Sequence, residues 1–203
     1  MLYSNYESWL FLQLIDDYEP GILSIIKYYM KSYIFTTKNE LIKVVNKWCK
    51  DNTREECEKE YGHISYWDVF KIIDMSYLFN YKYDFNDDIS RWNVSNVKDM
   101  SHMFDDATYF NQRIGVWDVS KVIDMNNMIN NATSFNQPLN NWDVSKVINM
   151  CWMFYKAKSF NQPIDSWNIS NVTNIQGIFK ETKNFNQPET IQHFQKHTTQ
   201  TII

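Results

Sequence analysis

Apolar positions along the middle of the chain recur every 25 residues. One copy of the pattern runs from Trp92 to Ile114, and each of its apolar residues stands at a fixed distance from the tryptophan. A fixed period of this length predicts repeats that each bury their apolar side only against their neighbours. The tryptophans that mark the five copies are Trp67, Trp92, Trp117, Trp142 and Trp167.

Each repeat combines two periodicities. Trp92 and Val94 alternate with an outward-pointing Asn93, which is typical of a short strand. The next apolar positions have the i, i+3, i+4, i+7 spacing of about two helical turns, which Asp99 or Ser101 can cap. The pattern predicts an α/β repeat: a solenoid of five 25-residue coils, each with a short parallel strand and a short helix, stacked about 5 Å apart. The helical positions in one copy are Met100, Met103, Phe104 and Ala107.

A Phe-Asn-Gln-Pro element closes the repeats at residues 135–138, 160–163 and 185–188. We expect the phenylalanines to fill the core. The asparagine and glutamine amides are expected to satisfy backbone groups of the loops, coil after coil. A role in binding a ligand is the alternative for these amides.

The segment before the repeats predicts an α-helical N-terminal cap. Residues 1–35 fit a helical hairpin, and residues 36–66 fit a helical cap that leads into the repeats. Thr37 with Glu40, and Thr53 with Glu56, form capping boxes that would start two helices, the second ending near Gly62. The hairpin is expected either to cover the first repeat or to dock on another protein.

The ends of the array depart from the pattern. Lys82 replaces the alanine of later copies, Glu189 replaces an aliphatic residue, and Gln192 stands where a sixth tryptophan would fall. Such departures are typical of terminal repeats, because one side has no neighbour. We therefore place the five repeats at residues 67–191 and a C-terminal cap or tail at 192–203, with a closing polar helix over residues 189–197.

Composition narrows the classes of partner. The formal net charge is −4, and no block of lysine and arginine is present, which argues against nucleic acid. No apolar stretch approaches the ~20 residues of a transmembrane segment, and no signal peptide or lipobox is evident. Three cysteines without metal spacing favour a reducing compartment. We expect a cytoplasmic protein, with a virion or cell-surface location as the alternative.

No grouping of residues predicts catalysis or a cofactor. His193 and His197 lie four residues apart but lack a third metal ligand, so solvated residues of the cap are favoured. The acidic ladder Asp74, Asp99 and Asp124 could bind calcium, although capping of turns explains it better. Asparagine continues this ladder in later copies, and a cap tolerates that replacement more easily than a charge-dependent metal site.

The repeated phrase Trp-Asp-Val-Ser-x-Val-x-Asp-Met resembles the BspA-like leucine-rich repeat surface proteins, also called the DUF285 or mycoplasma-lipoprotein repeat family. The similarity covers roughly residues 36–188 and is closest over 92–166. It implies a leucine-rich-repeat-like solenoid, with Ile114, Trp117 and Val119 in its strand and residues 125–132 in its helical turn. In bacteria this family is associated with adhesion and partner binding.

These observations favour a non-catalytic repeat protein that mediates protein–protein interaction as an intracellular adaptor or scaffold. The alternative is a surface or virion structural protein that acts in adhesion. The sequence does not specify which protein is bound. The partner-binding candidates are the outward residues that flank the tryptophans: Arg91, Asn93, Val116, Asp118, Asn141, Asp143, Ser166 and Asn168.

Overall fold

The computed structural model describes residues 32–197. Its three α-helices lie at the two ends of that range: α1 (Lys38–Trp48), α2 (Asp51–Tyr61) and α3 (Pro188–His197). Short 3₁₀ turns occupy Ile64–Tyr66 and Ile114–Val116. Between the helices the 25-residue repeats form successive coils that stack in chain order. The predicted hairpin over residues 1–35 lies almost entirely outside the described residues.

The predicted leucine-rich-repeat-like α/β solenoid is wrong. Residues 32–197 contain no strand or sheet, and the coils contain turns in place of the predicted short α-helix. Neighbouring coils are joined by isolated parallel bridges, one per pair, at the position seven residues after each tryptophan. These bridges link Asp74 to Asp99, Asp99 to Asp124, Asp124 to Asn149, and Asn149 to Asn174.

Left-handed backbone at two positions per coil explains why the predicted helix does not form. His102 and Asp106 have φ values of 55° and 61°, which a right-handed helix cannot contain. Their amides donate to the carbonyls of Asn126 and Asn130 in the next coil, both at 2.9 Å, instead of to their own coil. The predicted core positions are nevertheless all fully buried: Met100, Met103, Phe104 and Ala107.

Local turns replace the predicted strand. The Asn93 side chain accepts from the amide of Ser95 at 3.2 Å, and the amide of Val97 donates to the carbonyl of Val94 at 2.8 Å. The chain therefore bends within a few residues of Trp92 and does not extend. Trp92 and Val94 are still buried, so the alternation correctly predicted which side chains face the core.

The asparagines of the Phe-Asn-Gln-Pro element form the predicted ladder. Asn136 Oδ1 accepts from the amide of Asn161 at 3.0 Å and from Gln162 Nε2 at 3.0 Å, and the same pattern recurs between the other coils. The phenylalanines stack beneath it, with ring centroids 5.9–6.1 Å apart. Each side chain thus joins its coil to the adjacent one.

The N-terminal cap confirms the first predicted helix start and corrects the second. Thr37 caps α1 by accepting from the amide of Glu40, and α1 buries Leu41, Val44 and Trp48 against the first coil. Helix α2 begins at Asp51 rather than Thr53, because the Thr53 hydroxyl donates to the carbonyl of Lys47 at 2.6 Å within the preceding turn. Gly62 ends α2 with φ 75°, as predicted.

Phe35, at the end of the segment predicted as the hairpin, and Trp48 of α1 both cover Trp67. The Trp67 ring lies 5.1 Å from Phe35 and 5.6 Å from Trp48, measured between centroids. Tyr33 and Phe35 also form backbone hydrogen bonds with Asp68, both at 2.9 Å. The remaining question, whether the preceding segment covers the first repeat or docks elsewhere, falls outside the described residues.

Helix α3 closes the other end of the stack and confirms the predicted closing helix. Phe194 is fully buried, and its ring meets Phe179 of the last coil edge-on at 5.5 Å. Thr190 Oγ1 accepts from the amide of Ile164 at 3.2 Å. At the first coil, Lys82 donates to Asn46 of α1 at 2.6 Å, which explains why a lysine replaces the alanine of later copies.

Candidate partner-binding face

The structure places all eight predicted binding residues on the surface, in two columns that flank the buried tryptophans. The column before the tryptophans consists of Arg91, Val116, Asn141 and Ser166, and the column after them of Asn93, Asp118, Asp143 and Asn168. The tryptophans themselves are at most 4% exposed. One exposed residue on each side of a buried ring follows from the local alternation, even though no strand forms.

The column after the tryptophans is held in place by its own coil. Asp118 and Asp143 each accept from the backbone amide two residues later, at 3.0 Å. Hydrogen bonds from the hydroxyl and amide of Ser120 hold the pKa of Asp118 below its usual value, and Ser145 does the same for Asp143. Both side chains therefore present a fixed carboxylate at neutral pH.

The column before the tryptophans is more varied. Arg91 lies over the Tyr66 ring at 5.2 Å, and both border an open cavity of about 530 Å³ that is also lined by Asn93 and Phe70. Val116 is 70% exposed, which is a high value for an apolar side chain. The residues before the tryptophans therefore differ in chemical type from coil to coil, whereas the residues after them are all aspartate or asparagine.

Two further columns of the same surface were not predicted. Four residues after the tryptophan the first, third and fourth coils carry a lysine, and six residues after it they carry an isoleucine; the isoleucine or valine between these two positions is buried in those coils. Ile73, Ile123 and Ile148 are 59%, 42% and 46% exposed. We define the lysine column as Lys71, Lys121 and Lys146, and the isoleucine column as Ile73, Ile123 and Ile148. Together with the two flanking columns they form the outer face.

A continuous backbone ladder fixes the isoleucine column. The amide of Ile123 donates to the carbonyl of Lys98, and that of Ile148 to Ile123, both at 2.8 Å. Thr173 and Lys98 continue the ladder with the same distance to the coil before them. Because the hydrogen bonds join residues 25 positions apart, the isoleucine side chains are spaced by the stacking of the coils. The signal available in the sequence was an isoleucine six residues after the tryptophan in three of the five copies.

The acidic ladder caps turns, as the sequence analysis favoured. Asp99 and Asp124 each accept from the amide two residues later at 2.8 Å, while Asp74 does so for Ser76 and also pairs with Lys38 at 2.7 Å. Within residues 32–197 no group of three or more His, Cys, Asp or Glu side chains is arranged to hold a metal ion. The ring of His193 meets the Trp167 carbonyl at 2.8 Å, and His197 is the last residue of α3.

A carboxylate and an imidazole pair within the second coil, outside the outer-face columns. Asp105 Oδ2 is 2.7 Å from His102 Nδ1, and its other oxygen is buried with no hydrogen-bond partner. Burial raises the pKa of Asp105 despite the contact with His102. Burial also raises the pKa of the Cys49 thiol to about 12 and that of Cys57 to about 11, which leaves both thiols protonated.

The repeats match the model of a known protein family. A family model described as "Mycoplasma protein of unknown function, DUF285" matches residues 47–144 and, a second time, residues 112–202. The chain belongs to the DUF285 family. No curated protein and no solved structure matches it. The two overlapping matches to this DUF285 chain cover α2, the stacked coils and α3, so the matched range includes the outer face.

The three described helices of this DUF285 protein are short, with 10 or 11 residues each. None of those within residues 32–197 combines the length and the apolar character that crossing a membrane requires.

Proposed function

We propose that this DUF285 protein is a non-catalytic binding protein whose outer face recognises a protein partner. The observation that carries the proposal is the arrangement of exposed acidic, basic and apolar columns side by side on a surface held by hydrogen bonds between coils. Repeat proteins use extended surfaces of this type for recognition. A preorganised surface also loses little conformational freedom when a partner binds.

The chemistry of the described residues supports a role without catalysis. The raised pKa values of Cys49, which is partly buried, and of Cys57, which is buried, keep both thiols protonated and therefore poor nucleophiles. The His102–Asp105 pair lies beside the ring of Tyr77, which stacks on His102 at 4.5 Å. This arrangement packs the imidazole against an aromatic ring and a carboxylate. The proposal accordingly includes no cofactor.

An intracellular adaptor or scaffold is the form of this function that we favour. All three cysteines are free thiols, which fits a reducing compartment. The alternative is a virion or cell-surface structural protein. The resemblance of the repeated phrase to that of BspA-like surface proteins supports that alternative.

Charge reversal on the outer face tests the proposal. Asp118→Lys combined with Asp143→Lys should leave the circular dichroism spectrum unchanged and abolish recovery of specific partners by cross-linking in the native host. The matched control, Asp84→Lys with Asp165→Lys, changes the net charge equally at two exposed positions outside the outer-face columns. Identical partner recovery by all folded variants would contradict a binding role for these columns.

A further inference from the structure

A cleft of about 580 Å³ lies between the turn that joins α1 to α2 and the first coil. Tyr81 and Tyr83 of the first coil line it, together with Lys50, Asn52 and Arg54 of the cap. None of the residues in the outer-face columns belongs to its lining, so the cleft is a separate site. Because part of the lining comes from the helical cap, the cleft does not recur along the repeats.

The two tyrosines of the cleft are not required by the stacking of the coils. Tyr81 and Tyr83 are 59% and 53% exposed, and their ring centroids lie 6.3 Å apart. Two exposed rings at positions that the repeat otherwise fills with polar residues favour a role in binding. The later coils carry Asp106, Asn131, Lys156 and Glu181 at the first of these positions, and Thr108, Thr133, Lys158 and Lys183 at the second.

Part of the cleft is lined by side chains that the protein itself holds in place. Arg54 pairs with Asp87 and lies 4.5 Å from the centroid of the Trp48 ring. Trp48 Nε1 also donates to Asp87, at 2.9 Å. These contacts join the cap to the first coil, so they fix the two sides of the cleft relative to each other.

Other polar side chains of the lining are available to a ligand. All of them are exposed, and they supply both hydrogen-bond donors and acceptors beside the tyrosine rings. The side chains of the lining that form no hydrogen bond or ion pair within residues 32–197 are Lys50, Asp51, Asn52 and Asp84.

The charges that line the cleft balance, and this selects the class of ligand. A phosphate group requires clustered cations, and here carboxylates stand among them. A proline-rich peptide offers mainly carbonyl acceptors, which would leave the aspartates without donors. A neutral ligand with several hydroxyl groups can donate to the carboxylates and accept from the ammonium and amide groups. The cations are Lys50, Arg54 and Lys82, and the carboxylates are Asp51, Asp84 and Asp87.

We propose that this cleft binds a neutral oligosaccharide, with a pyranose ring on the faces of Tyr81 and Tyr83. Its hydroxyl groups then bind Lys50, Asn52 and Asp84. The face of an aromatic ring is negative and attracts the polarised C–H groups of a pyranose ring. The cleft also has the volume that is usual for a ligand site. This site is additional to the outer face and does not depend on it.

A glycan array probed with the full-length protein provides the test. The probes are immobilised neutral oligomers of glucose, galactose, mannose and N-acetylglucosamine, with sialylated and sulfated glycans and a decaproline peptide beside them. We expect binding to at least one neutral glycan and none to decaproline. Isothermal titration calorimetry with the free form of the strongest neutral glycan then measures its Kd.

A double variant removes the two rings without disturbing the stack. Tyr81→Asn with Tyr83→Thr introduces the residues that the third coil carries naturally as Asn131 and Thr133, so the fold should tolerate both changes. The variant should bind the neutral glycan at least about tenfold more weakly, because it lacks both stacking contacts.

The matched control removes two tyrosines outside the cleft. Tyr77→Asn with Tyr155→Asn also introduces residues of the third coil, those at Asn127 and Asn130. Neither tyrosine lines the cleft, so this variant should bind the glycan as wild type does. Circular dichroism checks that both double variants are folded.

Three results would overturn the oligosaccharide proposal: no binding of any neutral glycan by the wild-type protein, binding of decaproline or charged glycans alone, or equal affinity of the Tyr81 and Tyr83 variant and its control. The Asp118 and Asp143 variant of the outer face should retain glycan binding, and the cleft variant should recover the native partners. Failure of the glycan experiment therefore leaves the proposed partner-binding function standing, and loss of the partner-binding function leaves the cleft proposal standing.

Discussion

The indole nitrogen of Trp142 donates a hydrogen bond of 3.0 Å to the carbonyl of Ile114, 28 residues earlier and one turn of the stack away. Trp92, Trp117 and Trp167 make the same bond to the residue 28 positions earlier, at 2.8–3.2 Å. Each of these four tryptophans therefore fills the core and also donates to a backbone carbonyl of the adjacent turn, while Trp67 donates to Gly62 of the cap at 2.9 Å. This dual role explains why a tryptophan, and not another large apolar residue, marks every coil.

Truncation of Trp117 to alanine should lower the free energy of unfolding by roughly 3–5 kcal/mol, as expected for a large buried aromatic side chain. Trp142→Phe retains an aromatic ring but removes one of the two donors to the Ile114 carbonyl, which still accepts from the amide of Trp117 at 3.0 Å, and should cost about 0.5–1.5 kcal/mol. Urea denaturation followed by circular dichroism measures both. Tyr109→Ala, at a side chain that is 60% exposed, is the control. A loss for Tyr109→Ala that equals the loss for Trp117→Ala would contradict the role of the tryptophan column.

The asparagine ladder makes a second prediction. Asn136→Ala removes the oxygen that accepts from Asn161 and Gln162 of the next coil, and should reduce the free energy of unfolding by about 1–3 kcal/mol. Asn136→Asp keeps an acceptor oxygen at this position and should cost less. Asn186→Ala alters the last member of the ladder, which no further coil follows, and serves as the matched control. The ladder explanation fails if the alanine variants at positions 136 and 186 melt alike.

The sequence predicted the interior of this fold far better than its backbone. The period, the buried tryptophans and phenylalanines, the asparagine ladder and the helix that begins after Thr37 were all recoverable, because they depend on side-chain burial and capping at fixed spacing. The spacing of Met100, Met103 and Phe104 also fits a helix, although His102 between them is left-handed. Nothing in the single sequence marks that conformation, since Tyr77, Asn127 and Trp152 adopt it as well.

The sequence predicted part of the outer face for a related reason. Alternation around each tryptophan predicted that Asp118 and its neighbours face solvent, and this does not depend on whether the backbone forms a strand. The isoleucine column was missed because an aliphatic residue is ordinarily assigned to the core. Its exposure depends on Val122 and its equivalents, which are buried between the two outward positions. Whether the outer face binds a partner remains a prediction.

Gly177 supports a third prediction, which concerns packing between the last two coils. Its φ is 64°, and a Cβ built there would lie 2.5 Å from the ring of Trp152. Gly177→Ala should destabilise the protein by about 1–3 kcal/mol, since the new methyl group adds left-handed backbone strain and also overlaps the Trp152 ring. Other coils accept side chains at the equivalent left-handed position, so the ring contact is the larger cause. The double variant with Trp152→Ala should therefore show a smaller cost for Gly177→Ala than the wild-type background does, measured by a double-mutant cycle of unfolding free energies. Equal costs in the two backgrounds would exclude the ring contact.

The pH dependence of stability supplies the last prediction, because two aspartates should change it in opposite directions. Burial raises the pKa of Asp105, so the folded state holds that proton more tightly than the unfolded state does. The wild-type protein consequently loses stability at this site as pH rises from the ordinary aspartate pKa through the raised one. Asp105→Asn removes that loss, and the variant should gain stability relative to wild type as pH rises.

Asp118 should change the pH dependence of stability in the opposite direction, because its pKa is lowered in the folded state. Hydrogen bonds with Ser120 lower its pKa, so this site contributes stability above the ordinary aspartate pKa and loses it as pH falls through the lowered value. Asp118→Asn, which places there the residue found at Asn93 and Asn168, should match wild type at the acid end and fall below it at neutral pH. Urea unfolding of all three proteins from about pH 3 to pH 7, within the range where aspartates titrate, measures both differences. Parallel curves for Asp105→Asn and wild type would show that Asp105 does not carry a raised pKa in the folded protein.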